Sequence, residues 1–108
     1  GNTTCGGNSS IAIFAPRACE FSGCNCSSPD GAVTCSNFTV MPHGFPITTS
    51  KLLLAGNKIQ RLAVADFPAT LSQLTEIDLS NNMLRQIQRG TFQQLMALTR
   101  LDLSGNQL

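Results

Sequence analysis

The chain of 108 residues contains no tryptophan and no tyrosine, a single histidine, and seven Lys plus Arg against six Asp plus Glu. Each shortage removes a class of function. With His43 the only imidazole, set between Pro42 and Gly44 in a turn-like stretch, there is no second histidine to build a histidine-rich metal site or a relay of bases. A formal net charge of +1 supplies no broad basic surface for nucleic acid or anionic lipid, so no nucleic acid or other polyanion is expected as a partner. No apolar run approaches the roughly 18 residues that a spanning helix needs, which excludes direct membrane insertion by this segment. The first residues, from Gly1, are polar instead of basic and then apolar, and the block IAIFA at 11–15 is too short for a signal core, so the sequence reads as a mature chain. Its length is that of one domain.

What is present is a repeat. In the stretch LTEIDLSNNMLRQIQRGTFQQLMA, residues 74–97, the positions Leu74, Ile77, Leu79, Asn82, Leu84, Ile87, Phe92 and Leu95 recur on either side. Upstream they match Leu52, Leu54, Asn57, Ile59, Leu62, Phe67 and Leu71, and downstream Leu98, Leu101, Leu103, Asn106 and Leu108. Asn57, Asn82 and Asn106 set the period at 25 and then 24 residues. A unit of that size cannot bury its apolar face alone, and stacked copies make a solenoid. Within LTEIDLSNN, alternation turns Ile77 and Leu79 inward and Glu76, Asp78 and Ser80 outward. The interval from Phe67 to Leu71 is one residue longer than that from Phe92 to Leu95, which predicts a local bulge at Pro68 with the register restored by Leu74. Met41, Met83 and Met96 form no stripe and read as filler.

The runs LTEIDLSNNML and LTRLDLSGNQL resemble the L-x-x-L-x-L-x-x-N-x-L signature of the leucine-rich repeat family. The resemblance implies an α/β-type leucine-rich repeat solenoid, with short parallel strands on the concave face, irregular or 3-10 convex segments and a disulfide-bonded N-terminal cap. It also implies that the recurring asparagines turn inward and hydrogen-bond the backbone of adjacent turns as a ladder. Phe67 and Phe92 are expected to close the convex side, with Leu71 and Leu95 behind them. The expected organisation is a flexible arm over 1–18, a cysteine-rich cap over 19–48, and repeats over 49–108, two complete and one partial. Leu101, Leu103 and Leu108 then lack a following layer, so the chain reads as truncated, and self-association through that uncapped end is expected.

Cys19, Cys24, Cys26 and Cys35 form a C-x4-C-x-C-x8-C cluster. Four thiolates could hold zinc, but zinc knuckles usually separate their cysteines by two to four residues and Cys24 and Cys26 are separated by one. Disulfides are therefore favoured, and four cysteines allow three pairings. The cluster and the following AVTCSNFTVMPHGFPITTSKLLLAGN resemble the amino-terminal cap of extracellular leucine-rich repeat proteins, which implies the pairing Cys19 with Cys26 and Cys24 with Cys35. Cys5 is left over. Asn-x-Ser/Thr triplets fall at Asn2, Asn8, Asn25 and Asn37 and nowhere in the repeats. Asn2, Asn8 and Asn37 are the candidate glycosylation sites, whereas Cys26 in the middle of the Asn25 triplet makes that one the poorest. Both signals point to an extracellular, secreted or cell-surface protein.

No catalytic constellation, cofactor site or metal site is apparent, and the chain is not expected to be an enzyme. Asp78 and Asp102 occupy equivalent positions one repeat apart, as neighbours on a polar sheet surface would. Function is therefore expected from that surface: Lys51, Leu53, Glu76, Asp78, Ser80, Arg100, Asp102 and Ser104 on the concave face are the candidate ligand-binding residues, for a protein or glycan ligand. The cap and repeat style are similar to variable lymphocyte receptors, Toll-like receptors and Slit-like ectodomains, which implies a recognition module of an immune-type or cell-surface receptor. The alternative is a matrix or adhesion scaffold like the small leucine-rich proteoglycans.

Overall fold

The computed structural model describes residues 23–26 and 29–108. The arm over 1–18 and Cys19 lie outside the described residues, as do Asn2 and Asn8. Among the described residues seven short strands run in chain order: β1 (Cys24–Asn25), β2 (Ala32–Cys35), β3 (Lys51–Leu53), β4 (Arg61–Leu62), β5 (Glu76–Asp78), β6 (Gln86–Ile87) and β7 (Arg100–Asp102). They make two sheets. The larger has the order β1-β2-β3-β5-β7, and the smaller pairs β4 with β6. Every pairing is parallel except β1 with β2, because each repeat carries the chain once around the core and returns it one layer on.

The register of the large sheet follows the repeat without slippage. Val33, Leu52, Ile77 and Leu101 form one row. Val33, Leu52 and Ile77 are buried, whereas Leu101 is 38% exposed and Leu108 64%, because no layer of the described chain stacks upon them. Between the two sheets lie Leu54, Ile59, Leu62, Leu74, Leu79 and Leu84, all buried. Phe67 is fully buried with Leu71 close behind it, and its ring packs on Phe92 with centroids 5.2 Å apart and planes tilted by 47°. Such a tilted contact adds about 0.5–1.5 kcal/mol beyond burial.

The asparagine ladder is present. Asn57 accepts from the Phe38 N–H at 2.8 Å and donates to the Leu54 and Cys35 carbonyls at 2.7 and 3.1 Å. Asn82 accepts from the Ile59 N–H at 3.1 Å and donates to Leu54 O and Leu79 O at 2.9 and 3.1 Å. Asn106 repeats the arrangement with Leu84 N–H, Leu79 O and Leu103 O at 2.9, 2.9 and 3.0 Å. A buried amide is tolerable only when its donors and acceptor are all met, and here each one also ties a layer to its predecessor.

The extra residue in the first repeat is absorbed outside both sheets. A single 3-10 turn at Val64–Asp66 leads into Phe67, and the next turn closes through Leu71 N–H to Pro68 O at 3.0 Å, where the second repeat uses Leu95 N–H to Phe92 O at 3.1 Å. Both units then converge on the same closure, Leu74 to Leu71 and Leu98 to Leu95, each 3.2 Å. Of the methionines, Met41 is buried in the core, and Met83 and Met96 are exposed. Met83 follows the ladder Asn82 between β5 and β6, and Met96 precedes β7, both outside the strands.

Cys24 and Cys35 face each other across the antiparallel pair and are joined by a disulfide, the pairing implied for them by the cap resemblance. Cys26 is also disulfide-bonded; its expected partner Cys19 lies outside the described residues. The cap strand β2 is itself a degenerate repeat, which the periodicity did not reveal. Asn37, Gly56, Asn81 and Gly105 occupy equivalent places after β2, β3, β5 and β7, and all four have positive φ, from 55° to 76°. Phe38 then stands where the repeats place the ladder asparagine, so the ladder ends at the cap.

Candidate functional site

The outward side chains of the large sheet fall into rows fixed by the register. One row is Ala32, Lys51, Glu76 and Arg100, and the next is Thr34, Leu53, Asp78 and Asp102. Neighbouring strands lie about 4.8 Å apart, so the expected residues Lys51, Leu53, Glu76, Asp78, Arg100 and Asp102 do share one surface. Their pairing is narrower than their alternating signs suggest. Arg100 Nε lies 3.6 Å from Glu76 Oε2, whereas Lys51 on the other side of Glu76 has no ion pair among the described residues. With Arg100 67% exposed, that contact contributes at most about 0.5 kcal/mol.

The two aspartates are held more tightly. Asp78 Oδ1 accepts from the Ser80 N–H at 3.0 Å and the Ser80 hydroxyl at 2.6 Å, and Asp102 Oδ1 accepts from the corresponding groups of Ser104 at 3.0 and 2.7 Å. The Ser104 hydroxyl first, and then its backbone N–H, hold the Asp102 carboxyl below its ordinary value of 3.8, with a smaller contribution from the Arg100 charge. Hydrogen bonds to the ionised form favour that form. Each Oδ2 makes no hydrogen bond among the described residues. The face therefore presents two fixed anionic oxygens, one register step apart, beside the half-buried Leu53.

Ser80 corrects one expectation. It was read as an outward contact residue, yet it is only 8% exposed, because its hydroxyl folds back onto Asp78 and the next unit stacks beside its turn, Asn81 N–H donating to Ser104 O at 2.8 Å. It orients Asp78 and offers little surface itself. Ser104, at the equivalent place in the last layer, is exposed.

Two features escaped the sequence reading. Ser50, Thr75 and Thr99 form a hydroxyl ladder at the entry to the strands: Ser50 donates to Asp30 O at 2.7 Å, Thr75 to Ser50 O at 3.0 Å and Thr99 to Thr75 O at 3.2 Å. Their 25- and 24-residue spacing was available as a signal. The second is His43, read as a plain turn residue, whose Nε2 lies 2.7 Å from Asp66 Oδ1. Asp66 Oδ2 also accepts from the Ala63 N–H at 2.8 Å, so this carboxylate closes the 3-10 turn and fastens the cap to it. The contact borders an open cleft lined by Phe45, Pro68, Thr70 and Leu71. No spacing rule connects residues 43 and 66.

The chain resembles known proteins along most of its length. The profile of the family described as leucine rich repeat matches residues 47–108. Mimecan of Coturnix japonica is 39% identical over 87 residues, covering 79% of this chain and 28% of that protein. Trophoblast glycoprotein of Macaca fascicularis is 34% identical over 89 residues, covering 79% and 21%. Human reticulon-4 receptor-like 2 is 37% identical over 86 residues, covering 78% and 20%. Among solved structures, a complex of TLR13 with single-stranded RNA superimposes with a TM-score of 0.71 at 32% identity, covering 80% of this chain and 13% of that one. The chain thus spans less than a third of the length of each of these relatives.

Proposed function

The chain belongs to the leucine-rich repeat family, and from that premise we propose that it is an extracellular recognition module, the cap-bearing part of an immune-type or cell-surface receptor, binding a protein or glycan ligand through the concave sheet. The observation that carries this reading is the register: Lys51, Glu76 and Arg100 in one row, and Leu53, Asp78 and Asp102 in the next, are fixed by backbone pairing before any ligand arrives. A preformed array loses less conformational freedom on binding than mobile loops do. An extracellular setting is supported by the Cys24–Cys35 disulfide, since such bonds persist in oxidising compartments. Asn37, exposed in its left-handed turn, is the proposed glycan acceptor among the described residues, with Asn2 and Asn8 the others.

The test is a ligand selected from a library of cell-surface ectodomains on the immobilised chain. Asp78→Ala and Arg100→Ala are each expected to weaken it by about 1 kcal/mol or more, as contact residues do, while Gln93→Ala leaves the affinity unchanged. Silent concave substitutions with loss at Gln93 would place the site on the other side of the solenoid. The alternative, a matrix or adhesion scaffold of the small leucine-rich proteoglycan type, is favoured by one observation, the exposed bases Lys58, Arg61, Arg85 and Arg89 on and beside β4 and β6.

A further inference from the structure

The net charge of +1 conceals a segregation. Over residues 58–62 and 85–89, which carry β4 and β6, the exposed side chains are four bases, Lys58, Arg61, Arg85 and Arg89, together with three glutamines. No Asp or Glu stands in either stretch. None of the four bases has an ion pair among the described residues, and the carboxylate nearest in sequence, Asp66, is committed to His43 and the Ala63 N–H. The remaining carboxylates of the repeats, Glu76, Asp78 and Asp102, belong to the concave sheet.

Backbone pairing draws the bases together. Arg61 stands beside Gln86 in register, and the Arg85 N–H donates to the Gln60 carbonyl at 2.9 Å. Gln88 bridges the two turns, its Oε1 accepting from the Val64 N–H at 2.9 Å, and Arg89 follows it. Three residues of extended chain span about 10 Å and adjacent strands lie about 4.8 Å apart, so four uncompensated charges share one narrow strip that crosses two layers. We propose that this outer ribbon is a binding surface for a linear sulfated polysaccharide.

Charge complementarity selects a polyanion, and the rest of the surface selects which one. Single-stranded nucleic acid is held on basic grooves that also stack bases on aromatic rings, but the chain has no Trp or Tyr, and the one phenylalanine of the second repeat, Phe92, packs half-buried on Phe67. Protein partners are anchored by buried aromatic and apolar groups, and the exposed residues of these two stretches are all Lys, Arg or Gln. Arginine forks and glutamine amides suit sulfates and hydroxyls, which ask for charge and hydrogen bonds without an apolar anchor. This surface is separate from the concave site and stands or falls independently of it.

The test is affinity of the whole chain for heparin at several salt concentrations, near neutral pH. Counterion release makes log K fall linearly with log salt in proportion to the charges neutralised. Arg61→Gln with Arg85→Gln should weaken binding about tenfold or more at low salt and reduce that slope by about two. Lys51→Gln with Arg100→Gln, which removes the same charge from the concave sheet, should change neither, and Arg61→Lys with Arg85→Lys should retain binding. Should the glutamine pair lower the melting midpoint, Lys58→Gln with Arg89→Gln poses the same question at the ends of the strip. Desulfated heparin should not bind. The proposal is overturned by a wild-type chain that ignores heparin, by loss confined to the concave variant, or by single-stranded RNA that displaces heparin at equal charge.

Discussion

On the concave side, three-residue strands carry acids and bases in adjoining rows, with Arg100 reaching Glu76 and both aspartates hydrogen-bonded to serines. On the outer side, the stretches that contain the two-residue strands β4 and β6 expose bases and glutamines alone. Both surfaces come from the same repeat and share one ladder, since Asn82 binds Leu54 O and Leu79 O under the sheet and the Ile59 N–H on the way to the ribbon. What differs is which repeat positions carry charge. Glu76, Asp78 and Asp102 fall on strand positions of the large sheet and Lys58, Arg61, Arg85 and Arg89 on the runs after Asn57 and Asn82, so a sum over the chain hides a strip that carries no acid. The concave face is thereby suited to geometric recognition of a particular partner, and the ribbon to a charge-dense one.

The largest expected effect tests how unequally the two faces are supported. Leu79 is fully buried beneath the large sheet whereas Ile87 under the ribbon is half-buried, so Leu79→Ala should cost about 2–5 kcal/mol and Ile87→Ala about half of that by denaturant unfolding. Equal costs would show that the ribbon is as firmly packed as the sheet. A smaller effect sharpens the claim that one ladder serves both. Asn82→Ala strands the Ile59 N–H in the interior, at a cost of about 1–3 kcal/mol, and hydrogen exchange should accelerate for amides of both sheets together. Acceleration confined to one sheet would separate the faces mechanically.

The smallest effect is electrostatic and belongs to the concave face alone. With its folded-state carboxyl below 3.8, Asp102 contributes stability that is present above that value and is lost as the pH falls through the lower, folded one. The window is therefore acidic, below about pH 4, and an NMR titration of the Asp102 carboxyl should show it. Ser104→Ala should move the midpoint up toward 3.8, while Gln86→Ala on the ribbon leaves it unmoved. A wild-type midpoint at or above 3.8 would mean that the serine does not hold the carboxylate.

The repeat, its inward residues and the family were legible without coordinates, because burying a shared face forces leucine and asparagine to recur at fixed intervals. Position 38 carries Phe in place of asparagine, which hid the cap strand as a member of the same series; the shared left-handed turn at Asn37 betrays it only in three dimensions. Ser80 was assigned to the surface by alternation, which counts strand positions within one unit and takes no account of the next unit stacking beside the turn. His43 and Asp66 meet only because the cap folds against the first 3-10 turn, a long-range contact with no periodicity. Composition determined that charge is scarce and nearly balanced. Only the tertiary structure decided where that balance fails, since the winding of the chain brings Arg61 and Arg85, 24 residues apart in sequence, close together at the β4–β6 pairing while carrying Glu76, Asp78 and Asp102 to the concave sheet.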